Sequence, residues 1–282
     1  MGQIVITSDS TCDLSDELVK KLGVDVLPLY VVLGDKPLKD RLQANPDMIY
    51  DYVANNRMLP KTSAASVDDY ITAFKKHVDA GYEVIHFNIS SEMSSTHQNA
   101  VLAASEVGNV YVVDSRNLST GTALLIMDAA DMIAQGKSAK EIGQAIAART
   151  GLVRASFVVD SLEYLRMGGR CSAVAVLGAN MLKLKPCIQV KDGVMGVGSK
   201  YRGPYDKVIL KYVEDMLTKT PNINTRRAFV THTKCEDSVV KAVCDKVRSL
   251  VKFDEFYETT AGCVITSHCG PNTLGVLFEV NE

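Results

Sequence analysis

Short apolar runs alternate with amphipathic segments along the first half of the chain. Five runs rich in β-branched and other apolar residues have the length of strands. These predicted strands cover residues 3–7, 26–33, 84–89, 110–113 and 155–159. Between them, apolar residues recur at helical spacing and predict helices over residues 66–78, 94–104, 120–134 and 138–149. The pairs Ser66/Asp69 and Ser138/Glu141 are typical of helix starts. This order of strands and helices predicts a parallel sheet covered by helices.

The pattern changes after about residue 160. Residues 182–189 lead into Asp192-Gly193, a strong hairpin signal. Amphipathic periodicity predicts helices over residues 204–217 and 236–250, and further apolar runs predict strands over 227–231, 255–260, 264–266 and 274–280. We therefore predict an α/β fold with two domains and an approximate boundary. Residues 1–160 form a parallel-sheet N-terminal domain, and residues 161–282 form a mixed α+β C-terminal domain.

Composition narrows the class of protein. The 282 residues are 46% apolar and 23% charged, with a formal net charge of −2. Such a chain has enough apolar surface to fold, and it lacks the basic charge of a typical nucleic-acid binder. Its longest apolar stretch, residues 26–34, is well below the roughly 20 residues that span a bilayer. Because the N-terminus has no basic segment before an apolar one, we expect no secretory signal and a cytoplasmic location.

The seven cysteines include no C-x-x-C pair, so reduced thiols packed in the core are expected rather than a disulfide framework. His232 and Cys235 have a spacing that metal ligands use, but two further ligands are not evident. We therefore predict no metal site, and a regulatory or metal-binding role at this pair is kept as a third hypothesis.

Ser-rich polar turns directly follow four of the five predicted strands. They occupy residues 8–11, 90–96, 114–115 and 160–161. Ligands of open α/β sheets bind at the carboxyl ends of the strands, and helix N-termini there favour anions. The turns therefore predict an anion site lined by hydroxyl groups, although capping of the following helices explains part of the pattern.

His268 follows a predicted strand, within a tight turn that Gly270, Pro271 and Asn272 indicate. A protonated histidine on such a turn can pair with an anion, and a histidine with no such role is the alternative interpretation. The chain has no G-x-S-x-G nucleophile elbow and no complete phosphate-binding loop; the fragment at Gly196–Lys200 lacks most of that motif.

Five sequence blocks lie in the same order as in a known protein family. Residues 7–14 (TSDSTCDL) resemble T-D-S-x-x-D-L, residues 89–100 (ISSEMSSTHQNA) resemble I-S-S-x-L-S-G-T-Y-x-x-A, and residues 162–170 (LEYLRMGGR) resemble L-x-Y-L-x-x-G-G-R. The other two blocks are Val113-Asp114-Ser115 with Gly121, and His268-x-Gly270-Pro271 with Gly275. Together they resemble the DegV family of bacterial fatty-acid-binding proteins, which includes the binding subunits of fatty acid kinase.

The resemblance implies a two-domain α/β fold that buries a long acyl chain in the first domain, with the carboxylate near the domain interface. Carried over by position, Thr62, Ser94 and His268 would hold the carboxylate, and additional head-group contacts would come from Ser95, Thr96 and His97. Candidate acyl-chain liners are Ile89, Leu118 and Leu124–Ile126, although their helical spacing is equally typical of ordinary core.

In the family, the binding protein presents the acid to a separate ATP-dependent kinase, which makes the acyl phosphate. The resemblance therefore implies a non-catalytic subunit without a cofactor, whose Arg170 and Arg202 would dock the kinase or the membrane surface. The alternative is a stand-alone esterase or acyl transferase using Ser94 and His268, for which no orienting carboxylate is evident.

Two residues depart from the family pattern: Ser95 replaces a glycine and His97 replaces a tyrosine. A serine at a glycine position requires a negative φ or some backbone strain, so the detailed shape of the head-group site is expected to differ.

Overall fold

The computed structural model describes residues 3–171 and 184–282. The strands are β1 (Gln3–Asp9), β2 (Asp25–Leu27), β3 (Tyr30–Leu33), β4 (Lys36–Lys39), β5 (Lys61–Ser63), β6 (Tyr82–Asn88), β7 (Val110–Asp114), β8 (Val153–Val159), β9 (Leu184–Lys191), β10 (Val194–Arg202), β11 (Ile223–His232), β12 (Glu255–Thr260) and β13 (Thr273–Val280). The helices are α1 (Asp16–Leu22), α2 (Pro46–Asn56), α3 (Val67–Val78), α4 (Thr96–Val107), α5 (Thr120–Ala134), α6 (Ala139–Arg149), α7 (Glu163–Gly168), α8 (Tyr205–Lys219), α9 (Asp237–Leu250) and α10 (Cys263–Cys269).

Strands of the first half form the predicted parallel sheet, in the order β2-β1-β6-β7. The capping signals are confirmed as well. The Ser66 and Ser138 hydroxyl oxygens accept the backbone N–H groups of Asp69 and Glu141, whose carboxylates bond back to the cap residues. The carboxyl ends of β1, β6 and β7, with their polar turns, therefore meet at one edge of this sheet.

A second, mixed sheet has the order β10-β9-β8-β13-β11-β12 among the described residues. Its pairs are antiparallel except for β11 with β12. The predicted hairpin is confirmed: β9 and β10 pair across a turn at Asp192 and Gly193, whose φ angles are 53° and 82°. Two successive positive φ values are the reason why Asp-Gly is favoured in such a turn.

A small antiparallel sheet, β4-β3-β5, lies beside the parallel one. In it Thr62 of β5 pairs with Val31 of β3. This pairing fixes the position of Thr62.

Three predicted strands differ from the observed ones. The run at 26–33 is two strands in different sheets, because Pro28 has no N–H to continue a ladder. Residues 264–266 lie in helix α10, so the strand predicted there is wrong. The strand predicted at 155–159 is β8, which pairs with β9 and β13 of the mixed sheet rather than joining the parallel sheet. The domain division at residue 160 stays a prediction, and the change of sheet comes before Val153.

Helix α5 lies at the centre of the molecule, between the two larger sheets. Every residue from Thr120 to Ala129 is buried, as expected for a helix that packs against other elements on all sides. Its core cluster joins Ile85 and Phe87 of the parallel sheet to Phe229 and Leu277 of the mixed sheet. The two halves of the chain therefore share a continuous hydrophobic core. In the described residues, no helix has the combination of length and apolar character needed to cross a bilayer.

Candidate binding site

A cavity of about 940 Å³ opens at the carboxyl ends of the parallel strands, the edge at which the polar turns predict a ligand. Its volume is in the range of small-molecule sites. The β9–β10 hairpin and helix α10 complete its walls, so both halves of the chain contribute. Its apolar lining residues are Leu29, Ala64, Ile89, Met93, Leu118, Val194, Met195, Val264, Ile265 and Cys269. Of the candidate acyl-chain liners, Ile89 and Leu118 line the cavity, whereas Leu124–Ile126 are fully buried in the core cluster around α5.

Thr62 and His268 meet in the wall of this cavity. The Oγ1 atom of Thr62 lies 2.9 Å from Nε2 of His268, and both residues line the cavity. Thr62 is held by β5, and His268 is the residue before the last of α10. The structure therefore brings together two of the three residues that the resemblance assigned to a carboxylate.

The other ring nitrogen of His268, Nδ1, is buried and has no hydrogen-bond partner among the described residues. It faces Gly168, where an added Cβ would lie only 2.5 Å from Nδ1. A side chain at position 168 would therefore displace the imidazole. This contact gives a physical reason for the first glycine of the Gly168-Gly169-Arg170 block.

Burial, together with a smaller effect of the positive charge of Arg170, lowers the pKa of His268 to about 4. The ring is therefore neutral at neutral pH when the cavity holds no anion. A neutral imidazole beside a hydroxyl still offers a hydrogen-bond donor to an entering carboxylate.

Ser94 also lines the cavity. Its Oγ accepts the backbone N–H of Thr96 at 3.2 Å and has no acceptor for its own hydrogen among the described contacts. That hydroxyl is free to donate to a ligand. Ser95 lines the same cavity with φ −72°, so serine replaces the family glycine here without left-handed strain.

Thr96 and His97 lie away from the cavity wall. Thr96 is fully buried, and its hydroxyl is 2.7 Å from Tyr70 Oη. His97 is half-buried, and burial lowers the pKa of its ring. Its Nδ1 atom has no hydrogen-bond partner within the described part of the chain. The geometry does not bring either residue together with Thr62, Ser94 and His268.

Asp9, the last residue of β1, forms hydrogen bonds that connect the ends of β1 and β6. Its buried carboxylate accepts the backbone N–H groups of Thr11 at 3.0 Å and Ile89 at 2.9 Å, together with the Asn88 side-chain amide at 3.2 Å. Burial raises the pKa of Asp9, and these hydrogen bonds oppose that effect. Many hydroxyls of the predicted site thus serve the fold rather than a ligand: Ser10 bonds Asp40, and Ser90 bonds the backbone of Gly193.

Arg170 lies at the cavity mouth, where it is exposed and donates to the backbone oxygen of Gly168 at 3.0 Å. Arg202 is exposed at the end of β10, outside the cavity lining. Neither arginine has an ion-pair partner in the described part of the chain. The neighbouring Lys185 pairs with Asp160, and Lys183 lies outside the described residues.

The geometry gives no support to the hydrolase alternative. His268 bonds Thr62 rather than Ser94, and no carboxylate among the described residues contacts its imidazole. At the other predicted pair, His232 uses one ring nitrogen on the Thr233 carbonyl and lies 3.3 Å from Glu258 through the other. No cluster of three metal-ligating side chains is present within the described residues.

The functional residues that sequence reasoning missed belong to α10 and the hairpin. The sequence pattern predicts a strand at Val264 and Ile265 and places Val194 beside a hairpin turn, and it links none of these residues to the cavity. Met195 and Val197, two positions apart on β10, both pack against the core cluster that contains Ile89 and Leu118, and this apolar pair is the signal that could have found the hairpin wall.

The family pattern described as "Uncharacterised protein, DegV family" matches residues 3–281. The chain belongs to the DegV family. It is 31% identical to a protein from Thermotoga maritima named "Fatty acid-binding protein", over 99% of each chain.

Solved DegV structures have the same fold. A Thermus thermophilus protein described as a fatty-acid-binding DegV protein is 30% identical, with a TM-score of 0.89 over 99% of this chain and 100% of that one. A stearic-acid-binding protein from Eubacterium ventriosum is 29% identical, with a TM-score of 0.85 over 98% of each chain. The predicted α/β architecture is therefore confirmed.

Proposed function

We propose that this protein binds a long-chain fatty acid in the 940 Å³ cavity, with the carboxylate at Thr62, Ser94 and His268. The observation that carries the proposal is a cavity whose lining combines a set of apolar side chains with the hydrogen-bonded Thr62–His268 pair. The fatty-acid binding named for the Thermotoga, Thermus and Eubacterium relatives supports it.

The energetics favour such a ligand. Each methylene group transferred from water to an apolar wall contributes about 0.8 kcal/mol, so a long acyl chain supplies most of the binding free energy. The polar groups at the site then select a carboxylate over other head groups. A carboxylate beside His268 favours the protonated ring, and Arg170 adds positive charge at the mouth.

We further propose that the protein is a non-catalytic, cytoplasmic subunit that presents the acid to a separate ATP-dependent kinase. The family resemblance and the absence of a catalytic partner for His268 among the described residues support this role. Arg170 and Arg202 are exposed cations without ion-pair partners and so suit contact with an acidic kinase surface. Transient contact of the same cations with a membrane surface is the second role that we propose for them.

The binding proposal is tested with recombinant protein. Native mass spectrometry followed by lipid extraction should find a co-purifying fatty acid. Delipidated protein should bind palmitate much more tightly than 1-hexadecanol, which has the same chain without a carboxylate. The Ser94→Ala/His268→Ala variant should lose most of this preference. Equal affinity of the wild type for acid and alcohol would contradict the carboxylate site, and no binding of either would contradict fatty-acid binding.

The presentation proposal needs a purified ATP-dependent fatty acid kinase. Arg202→Glu should bind palmitate like the wild type but support slower acyl-phosphate formation. Lys241→Glu, an equal charge change on the exposed face of α9, serves as the matched control. Equal rates of acyl-phosphate formation with the two variants would show that Arg202 does not contact the kinase. ATP-dependent product formation without added kinase would overturn the non-catalytic assignment.

A further inference from the structure

Helix α10 carries His268 at one end, and its other end is held by two buried aspartates from the first half of the chain. Asp13 accepts the backbone N–H of Gly262 at 2.8 Å, and Asp40 accepts that of Cys263 at 3.0 Å. The first N–H groups of a helix have no partner within it, so these carboxylates replace the side-chain cap that the local sequence lacks.

Both carboxylates are themselves rigidly held. The second oxygen of Asp13 accepts the Ser119 hydroxyl at 2.5 Å, and that of Asp40 accepts the Ser10 hydroxyl at 2.8 Å. Ser10 Oγ in turn accepts the backbone N–H of Leu29, a residue of the cavity wall. Each aspartate therefore links the start of α10 to a fixed part of the first half of the molecule.

We infer that Asp13 and Asp40 are positioning residues for the carboxylate site: they fix the start of α10 and thereby place the His268 imidazole beside Thr62. This inference rests on the proposed function only for its effect on ligand affinity. The helix has only seven residues, so a shift of its start also moves His268 near its end. Gly168 lies directly against the other side of the imidazole, so the ring cannot compensate for that shift by moving toward Gly168.

The cost of this arrangement supports a role beyond ordinary packing. Both side chains are nearly inaccessible to water, and burial raises the pKa of Asp13 to about 7, with Asp40 adding to the effect. Burying two neighbouring carboxyl groups is unfavourable unless their hydrogen bonds compensate. Apolar residues at these positions would avoid the free-energy cost of burying a carboxyl group. They would, however, leave the backbone N–H groups of Gly262 and Cys263 without these acceptors.

The test compares Asp13→Ala with Asp13→Asn, because asparagine keeps an oxygen that can accept the Gly262 N–H. The first readout is the ¹⁵N NMR signal of the His268 ring in ligand-free protein. We expect the Ala variant to shift it and the Asn variant to restore it toward the wild-type position. In palmitate binding, we expect at least a tenfold loss for Ala and less than threefold for Asn. Ser10→Ala removes one hydrogen bond to Asp40 and keeps the carboxylate, so it is a milder change that should shift the same signal. This variant tests the inference if Asp13→Ala does not fold.

Asp128→Asn is the matched control, since Asp128 is an equally buried carboxylate in an ion-pair cluster that does not contact α10. Its His268 signal should stay in place. Unchanged His268 signals in folded Asp13→Ala and Ser10→Ala would overturn the inference. If the signals shift as expected but no variant, wild type included, binds palmitate, the positioning inference holds and the proposed ligand is wrong.

Discussion

Thr62 Oγ1 and His268 Nε2 lie 2.9 Å apart although 206 positions separate the two residues in the sequence. One belongs to a three-residue strand and the other to a seven-residue helix, so neither sits in a long regular element. The hydrogen bond between them occupies the Thr62 hydroxyl and Nε2 of His268 together. An entering carboxylate must therefore join or replace this hydrogen bond, which makes binding depend on both side chains.

Thr62→Val keeps the shape of the side chain and removes its hydroxyl. A hydrogen bond to a charged group contributes about 1.5–3 kcal/mol, so we expect palmitate affinity to fall about 10- to 100-fold. Titration of delipidated protein measures the change. Thr218→Val, on the exposed side of α8, is the control and should bind like the wild type. Wild-type affinity in Thr62→Val would show that the hydroxyl does not contact the head group.

Gly168→Ala should displace His268, because the new methyl group would lie 2.5 Å from Nδ1. We expect at least a tenfold loss of palmitate affinity with a smaller loss of thermal stability. Gly151→Ala is the matched control, since a Cβ there meets nothing within 4 Å. Affinity in Gly168→Ala that equals that of the control would mean that the imidazole can move aside without affecting the ligand.

The helix that carries His268 shows why part of the fold could not be predicted from the sequence. Val264, Ile265 and Thr266 are β-branched and typical of a strand. No Ser, Thr, Asp or Asn precedes them at the cap position; Gly262 stands there. The capping oxygens come from Asp13 and Asp40, 249 and 223 positions away, so the signal for this helix exists only after the chain has folded.

Two capped helices and the β9–β10 hairpin, by contrast, follow from local patterns. The helices starting after Ser66 and Ser138 have caps within three residues, and the Asp192-Gly193 turn fixes the hairpin register. The candidate site lies between these extremes. The polar residues after the strands predict the edge of the sheet at which the site lies. Which of their hydroxyl groups face the cavity depends on tertiary contacts, since Ser10, for example, donates its hydroxyl to Asp40 instead.

Palmitate binding should be coupled to proton uptake by His268. The ligand-free ring has a pKa of about 4 because it is buried near Arg170, and a bound carboxylate raises that value. Between the free and bound pKa values, the complex therefore holds one more proton than the separate partners. Calorimetry at about pH 6 in buffers with different ionisation enthalpies measures this uptake. His268→Gln should bind with less uptake, and identical proton balances for the two proteins would contradict the coupling.

Glu279, near the end of β13, should make the protein less stable as the pH rises. Burial raises the pKa of its carboxyl group to about 7, with Asp128 adding to the effect and Arg149, Arg227 and Arg226 opposing it. Between the ordinary value of 4.5 and about 7, the folded protein therefore binds more protons than the unfolded chain. The free energy of unfolding falls across this window, by at most about 1.4 kcal/mol per pH unit for one group.

Glu279→Gln removes this titration and leaves a neutral group where one carboxylate oxygen has no hydrogen-bond partner in residues 3–171 and 184–282. We expect the variant to be more stable than the wild type at about pH 8 and to lose less stability between about pH 5 and 8. Asp13 titrates in the same range, so part of the slope persists. Urea denaturation at both pH values measures the difference, with Glu106→Gln on the exposed face of α4 as the control. Parallel pH profiles for the wild type and Glu279→Gln would mean that Glu279 is already ionised in the folded protein at neutral pH.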